Sequence, residues 1–283
     1  MKTNRLPRYK RVKEPPSIRL TPRDIDVIKA VAAYRALDRE QIQALFFPSR
    51  NTANRRLVRL FQHGYLWRRI LPMEYGQGDR PAVYVLDAKG VELIGDQQWT
   101  KKKREAGFLF LDHLLRINDV RIAFTLGARD HAVTVSEWLD EGTLKSPQMR
   151  DYVEVSRERA SGKRKVAVIP DGYFILDLGD KRAHFFLEVD RGTIANKRWK
   201  TRVKAYQEYT KSGLYQKRYK TRSLRILTAT TGVKRLANLK KTTEAAGGKD
   251  MFWFTTLDQA TPDQVLTGSI WQTAGREGFS SLL

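Results

Sequence analysis

Apolar residues recur at helical spacing through the first third of the chain, broken by residues suited to starting and stopping helices. Thr21-Pro22 reads as an N-cap followed by proline at the first helical position, with Asp24 in the first turn. Ile25, Ile28, Val31 and Ala32 then form one stripe. Asp38 is placed to cap a second, short helix through Ile42, Leu45 and Phe46 that stops at Pro48. Ser49 caps a third, with Ala53, Leu57, Leu60 and Phe61 on one face and Gly64 in the terminating position. Arg50, Asn51, Asn54 and Arg55 fall off that apolar face. Next come a strand-like run over 65–70, a turn-rich stretch over 74–81 and a second strand over 82–86.

Beyond a basic connector, Lys101-Lys102-Lys103-Arg104, the pattern changes. A long helix is predicted from Phe108 to Thr125, carrying His113, and a strand over 133–138. Val166–Ile169 is a β-branched run ending in Pro170-Asp171. Strands over 173–178 and 184–190 are joined by the Asp177-Leu178-Gly179-Asp180 turn. A basic helix follows over 196–211, then a strand over 224–229, a helix over 233–245 and a short strand over 251–254. Helix, strands, hairpin, helix and strand in this order describe an α/β sandwich. The expected organisation is a basic arm (1–20), a first domain (21–95) and a larger α/β domain (105–283).

Charge narrows the partner. The 283 residues include 53 Lys+Arg and 31 Asp+Glu, a formal net charge of +22. The excess is uneven. Residues 1–20 hold seven Lys/Arg and one Glu, and residues 191–241 hold sixteen Lys/Arg against the single acid Glu208. Two basic zones favour a polyanion, because each phosphate neutralised releases counterions. The basic segments lack a matching apolar helix face, which argues against a membrane surface. No apolar run of about 18 residues exists to span a bilayer. The basic N-terminus has no apolar stretch behind it, unlike a secretory signal. There are no cysteines, which excludes disulfides, thiol catalysis and thiolate-held metals. A cytoplasmic protein is expected.

Three helices followed by a two-stranded hairpin with a glycine-rich tip is the order of a winged helix-turn-helix, whose third helix enters the major groove of duplex DNA. Arg pairs bidentately with guanine and Asn with adenine. The expected DNA contacts are therefore Arg50, Asn51, Asn54, Arg55 and Arg59, with Gln77 and Arg80 on the wing. Lys197, Lys200 and Lys204 of the basic helix are candidates for a second set. Trp199, Tyr206, Tyr209 and Tyr215, interleaved with them, suit a core better than base stacking.

Glu188 and Asp190 are two apart on one strand and so share a face. A Pro-Asp at 170–171, followed 17 positions later by this acid-x-acid strand, resembles the PD-(D/E)xK nuclease superfamily, an α/β restriction-endonuclease-like fold. In those enzymes the Asp and the second acid hold Mg²⁺, and a Lys two residues later activates water, which phosphodiester hydrolysis needs. Here Asp190 stands where that Lys belongs, with Arg191, Lys197 or Lys200 as replacements. His113, with Asn118-Asp119-Val120, Trp138 with Glu141, Pro170-Asp171 and the run Phe185-Phe186-Leu187-Glu188-Val189-Asp190-Arg191-Gly192-Thr193 resemble the replication-relaxation family of plasmids and mobile elements. That resemblance implies a winged helix joined to a nuclease-like domain, and a role in replication, mobilisation or transcriptional control. It makes a relaxase or replication protein an expected partner and leaves homodimerisation open. Three readings of the acids follow: a degenerate, structural set; a Mg²⁺- or Mn²⁺-dependent nickase using Asp171, Glu188 and Asp190, with the metal on Asp171 and Glu188; or a repressor whose second domain binds a protein.

Overall fold

Each capping residue starts a helix. In the computed structural model, which describes residues 6–7, 10–71, 81–95, 107–156 and 162–283, Thr21 precedes α1 (Pro22–Ala33), Asp38 precedes α2 (Arg39–Phe46) and Ser49 precedes α3 (Arg50–Gln62). Thr21 and Asp38 close reciprocal capping boxes with Asp24 and Gln41, satisfying amides that the first turn leaves unpaired. Strand β1 (Leu37–Asp38) links α1 to α2. After α3 come β2 (Leu66–Arg69) and β3 (Val83–Leu86), and the three strands form an antiparallel sheet in the order β1-β3-β2.

The core of this region follows the predicted faces closely. α3 buries Ala53, Leu57, Leu60 and Phe61. On α1 the buried stripe is Val27, Ile28 and Val31, flanked by half-buried Ile25 and Ala32. The stripe is rotated relative to expectation because Asp24 is itself fully buried on the inner face. Helix α4 (Ala88–Ile94) lies so close to the chain before β2 that a Cβ on Gly90 would stand 2.2 Å from the carbonyl oxygen of Tyr65. Only glycine fits there.

The described part of the N-terminal arm is tied down. Arg11 ion-pairs with Asp87 at 2.6 Å, donates to the carbonyl of Phe61 at 2.6 Å, and lies over the rings of Phe61 and Trp67. Gln62 donates to the carbonyls of Pro7 and Lys10.

The chain divides into two compact units, residues 1–119 and 120–283. The division falls within helix α5 (Phe108–Arg129). Its first part belongs to the amino-terminal unit, where Leu111, Leu114 and Leu115 join Val83 and Val85 in one core. There Asn118 donates to the carbonyl of Ala36 at 2.7 Å and Gln41 to that of Leu115 at 2.8 Å.

The carboxy-terminal unit runs β4 (Thr134–Asp140), a short α6 (Glu141–Leu144), β5 (Asp151–Ser156), β6 (Lys163–Val168), β7 (Gly172–Asp177), β8 (Arg182–Asp190), α7 (Asn196–Lys211), α8 (Leu214–Tyr219), β9 (Arg225–Thr230), α9 (Val233–Ala245), β10 (Phe252–Thr256) and β11 (Gln272–Thr273). Six strands form one mixed sheet, ordered β11-β10-β9-β8-β7-β4, while β5 and β6 pair separately. β8, β9 and β10 are mutually parallel, and α7 with α8 supplies the crossover that a parallel β8–β9 pair requires. On one sheet face Tyr173, Phe186, Ile226 and Phe252 lie in register and pack beneath Trp199, Val203, Tyr206 and Tyr209 of α7. The aromatics of the basic helix are thus core, as their spacing suggested. The opposite face stacks Phe174 between Phe185 and Trp138, at ring distances of 4.9 and 5.1 Å. Of the β5–β6 ribbon the hydrophobic pattern marks only the β-branched end of β6 at Val166–Val168, because Lys163-Arg164-Lys165 opens that strand with charge.

Candidate functional site

Two sets of polar residues stand out, one in each unit. In the amino-terminal unit, Ser49 starts α3 by accepting from the Thr52 amide. The helix then turns its apolar face inward, which leaves Arg50, Asn51 and Arg55 exposed and Asn54 half-buried. None of these four side chains has a hydrogen-bond or ion-pair partner among the described residues. Arg56 and Arg59, on the flank, are held instead. Arg56 grips the buried Asp24 with two nitrogens, and burial, which alone would raise that carboxyl, is outweighed by Arg56 and Thr21, so Asp24 titrates below the usual range. Arg59 donates to the carbonyl of Ser17 at 2.9 Å. Arg23, Arg55, Arg56 and Arg59 line an open cleft of about 540 Å³ between α1 and α3. Gln77 and Arg80 lie outside the described residues.

In the carboxy-terminal unit the hairpin brings the three acids together. Asp171 sits just before β7, where its amide donates to the carbonyl of Leu187 at 3.0 Å and its Oδ2 accepts from the Val189 amide at 2.7 Å. It is therefore bound across β8 on both sides of Glu188. Glu188 and Asp190 share a face, paired in register with Thr228 and Thr230 of β9. All three carboxylates are buried, Glu188 with 1% of its surface exposed and Asp190 with 3%. Gly192, in the left-handed conformation at φ 80°, then turns the chain away toward α7.

Buried carboxylates need partners. Both oxygens of Glu188 are engaged on α7: Oε2 by Arg202 and Oε1 by the hydroxyl of Tyr206. Asp190 accepts from Thr230 Oγ1 at 2.8 Å and from two nitrogens of Arg235, at 2.7 and 3.1 Å. Arg235 also donates to the carbonyl of Ile194 at 2.6 Å, fixing the loop between β8 and α7. The two acids differ in titration. Burial pushes Glu188 up to about 7, with the charge of Asp171 adding to the rise and Arg202 and Tyr206 opposing it. Burial also acts to raise Asp190, but Arg235 and Thr230 outweigh it and hold that carboxyl low.

A divalent cation needs carboxylate oxygens free to face it. The oxygens of Glu188 and Asp190 instead face guanidinium and hydroxyl donors, and two of the three acids are already neutralised by arginine. Among the described residues no three Asp, Glu or His side chains are grouped so as to hold a metal ion. As arranged, Asp171, Glu188 and Asp190 do not fit Mg²⁺ or Mn²⁺.

The cation meeting Glu188 is neither Arg191, Lys197 nor Lys200 but Arg202. Its signal was present in the sequence. Arg202 and Tyr206 are four apart, so they share a helix face, and that face also carries the apolar Trp199 and Val203. An arginine among core residues calls for a buried acid. Lys197 is exposed at the start of α7, whereas Lys200 and Lys204 are half-buried and engaged. His113 belongs to the amino-terminal unit and Glu141 ion-pairs with Lys145 at 2.5 Å.

Residues 28–224 match the family model described as replication-relaxation. No curated protein sequence matches the chain. Among solved structures, restriction endonuclease FokI bound to DNA is similar at 11% identity and a TM-score of 0.28, over 84% of this chain and 43% of that one. The structure of restriction endonuclease FokI matches at 10% identity and a TM-score of 0.27, over 84% and 42%. The chain thus spans less than half the length of these two structures.

Proposed function

The chain belongs to the replication-relaxation family, and on that premise we propose that it is a DNA-binding protein of a plasmid or mobile element, with a winged helix-turn-helix reader and a nuclease-like unit that does not cut. The single observation carrying this reading is the outer face of α3, where Arg50, Asn51 and Arg55 are exposed without partners among the described residues. These side chains match base edges in the major groove, and they lie in the amino-terminal half of the helix, the part that contacts bases in such modules. The order α1-β1-α2-α3-β2-β3, with a β1-β3-β2 sheet, supports the assignment.

The acids of β8 support the second half of the reading. Hydrolysis of a phosphodiester requires charge neutralisation at the phosphate and an activated water. Glu188 and Asp190 are committed to Arg202, Tyr206, Arg235 and Thr230, so their role is to hold α7 and the loop before it against the sheet. The biological setting is replication, mobilisation or transcriptional control, with a relaxase or replication protein as partner.

Two assays test this function. Fluorescence anisotropy with duplex DNA should show binding that weakens steeply with salt, and Arg50→Ala with Arg55→Ala should weaken it. Unchanged affinity in that double variant would remove α3 from the interface. Supercoiled plasmid incubated with Mg²⁺, Mn²⁺ or EDTA should stay supercoiled. Metal-dependent nicking abolished by Asp171→Ala would show instead that the acids are catalytic.

A further inference from the structure

The β5–β6 ribbon lies apart from the main sheet and packs along α7 through Val153, Val155 and Val168. Between the ribbon and the first half of α7 is an open cleft of about 620 Å³. Its lining includes the apolar Val166, Val168 and Ala205. The same lining carries Lys145, Arg164, Lys165, Lys197, Arg198 and Arg202, with the single acid Glu141.

Where these cations go decides what the cleft is for. Glu141 is answered by Lys145, and Arg164 donates to the hydroxyl of Thr201. Arg202 gives only Nη1 to Glu188, so the rest of its guanidinium has no acceptor among the described residues. Lys197 and Arg198 are exposed with no acid beside them among the described residues. Solvated lysines on a convex face need no explanation, but cations converging on a concave, partly apolar cleft repel one another and concentrate field for an anion. The N-terminus of α7 opens into the same space, capped by no side chain because Ala195 holds the N-cap position.

We propose that this cleft binds the phosphodiester backbone of a nucleic-acid strand, as a second anion site separate from α3, with Arg202 bridging Glu188 and a phosphate. From Lys197 to Arg202 the helix rises about 7.5 Å, enough to set cations against neighbouring phosphates of one strand. The lining offers chiefly Lys and Arg cations, and contacts made to phosphate oxygens position a strand without reading its bases. The contact is therefore independent of sequence. It shares with the α3 reading only the polyanion, and it stands or falls on different residues.

The test uses the full chain and a labelled random-sequence duplex, with affinity measured across a salt series. Lys197→Ala with Arg198→Ala removes two exposed cations and should weaken binding roughly tenfold while lowering the log–log salt slope by about 2. The same loss should appear on top of Arg50→Ala/Arg55→Ala. An unchanged slope in the Lys197/Arg198 variant overturns the cleft site, even if the α3 variant binds poorly. If only the α3 variant binds normally, the cleft stands and the α3 assignment falls. Because the chain has no cysteine, Ala195→Cys gives one thiol at the cleft for a photocrosslinker. It should crosslink to the DNA, whereas Glu277→Cys, beside the ion pair of Arg276 with Asp250 that precedes β10, should not. Equal crosslinking from both positions would also overturn the proposal.

Discussion

On α3, Arg50, Asn51 and Arg55 stand in solvent with no partner among the described residues, whereas at the end of β8 both Glu188 and Asp190 are buried and engaged by donors at each carboxylate oxygen. Both sets are residue types from which sites are built. A ligand can use only groups whose hydrogen bonds and charge are still on offer, and by that criterion α3 is available while β8 is not. Residue identity therefore marks a candidate, and the state of its partners decides its role. Arg56 makes the point inside α3 itself: one residue from Arg55, it is half-buried and locked onto the buried Asp24.

The most forceful way to break this contrast is to free Glu188. Arg202→Met should destabilise the protein by about 3–5 kcal/mol at pH 8, because a buried carboxylate loses its cation. At pH 5 the loss should be smaller, since Glu188 can then take up a proton. Urea denaturation at the two pH values measures both. A cost under about 1 kcal/mol at pH 8 would mean that Glu188 is not held by Arg202.

The same acid predicts an unusual pH profile in the unaltered protein. Glu188 titrates near 7 when folded, above its ordinary value of 4.5, so the folded state binds the extra proton between those values. Its contribution is full below about pH 4.5 and declines as pH rises through 7, by on the order of 3 kcal/mol. Asp24, Asp151 and Asp190 are shifted the other way, each below its ordinary value despite burial, through Arg56, Arg218 and Arg235. Their contribution is present above the ordinary carboxylate range and is lost as pH falls below it. Stability should thus peak between these limbs, and Glu188→Gln should flatten the limb between pH 5 and 8. Persistence of that limb in the variant would assign it to another group.

How much of this was legible follows the same division between local and non-local causes. Capping residues and helical faces are written within a few positions of one another, so Thr21, Asp38 and Ser49 mark α1, α2 and α3, and the limits of α7 and α9 are readable from periodicity alone. The meeting of Asp171 with Glu188 was also legible, because one hairpin turn sets that register. The pairing of Glu188 with Arg202 and of Asp190 with Arg235 was not. It depends on how α7 and α9 lie on the sheet, and sixteen Lys/Arg between 191 and 241 offer too many partners for spacing to choose among. The rotated stripe of α1 has the same origin, since Asp24 is drawn inward by an arginine 32 residues away.

On the available side of the contrast, Asn51→Ala and Arg55→Ala should cost about 1–3 kcal/mol each in discrimination between a preferred and a mismatched duplex. Affinity for random DNA should change less. Competition binding with the two duplexes measures the difference. Equal losses on both would recast these residues as phosphate contacts.

The smallest expected effect separates the two kinds of residue within the amino-terminal unit. Thr21 donates to Asp24 Oδ2 through both its hydroxyl and its amide, each at 2.6 Å, and its hydroxyl oxygen accepts from the Asp24 amide. Thr21→Ala removes the hydroxyl but leaves Arg56 on Asp24, so thermal unfolding should register a loss of only about 1 kcal/mol. The exposed face of α3 contains none of these atoms. DNA affinity measured well below the unfolding temperature should accordingly match the unaltered protein. A fall in affinity as large as that of Arg55→Ala would mean that the capping network sets the position of α3 for binding, and that its locked and free arginines act as one unit.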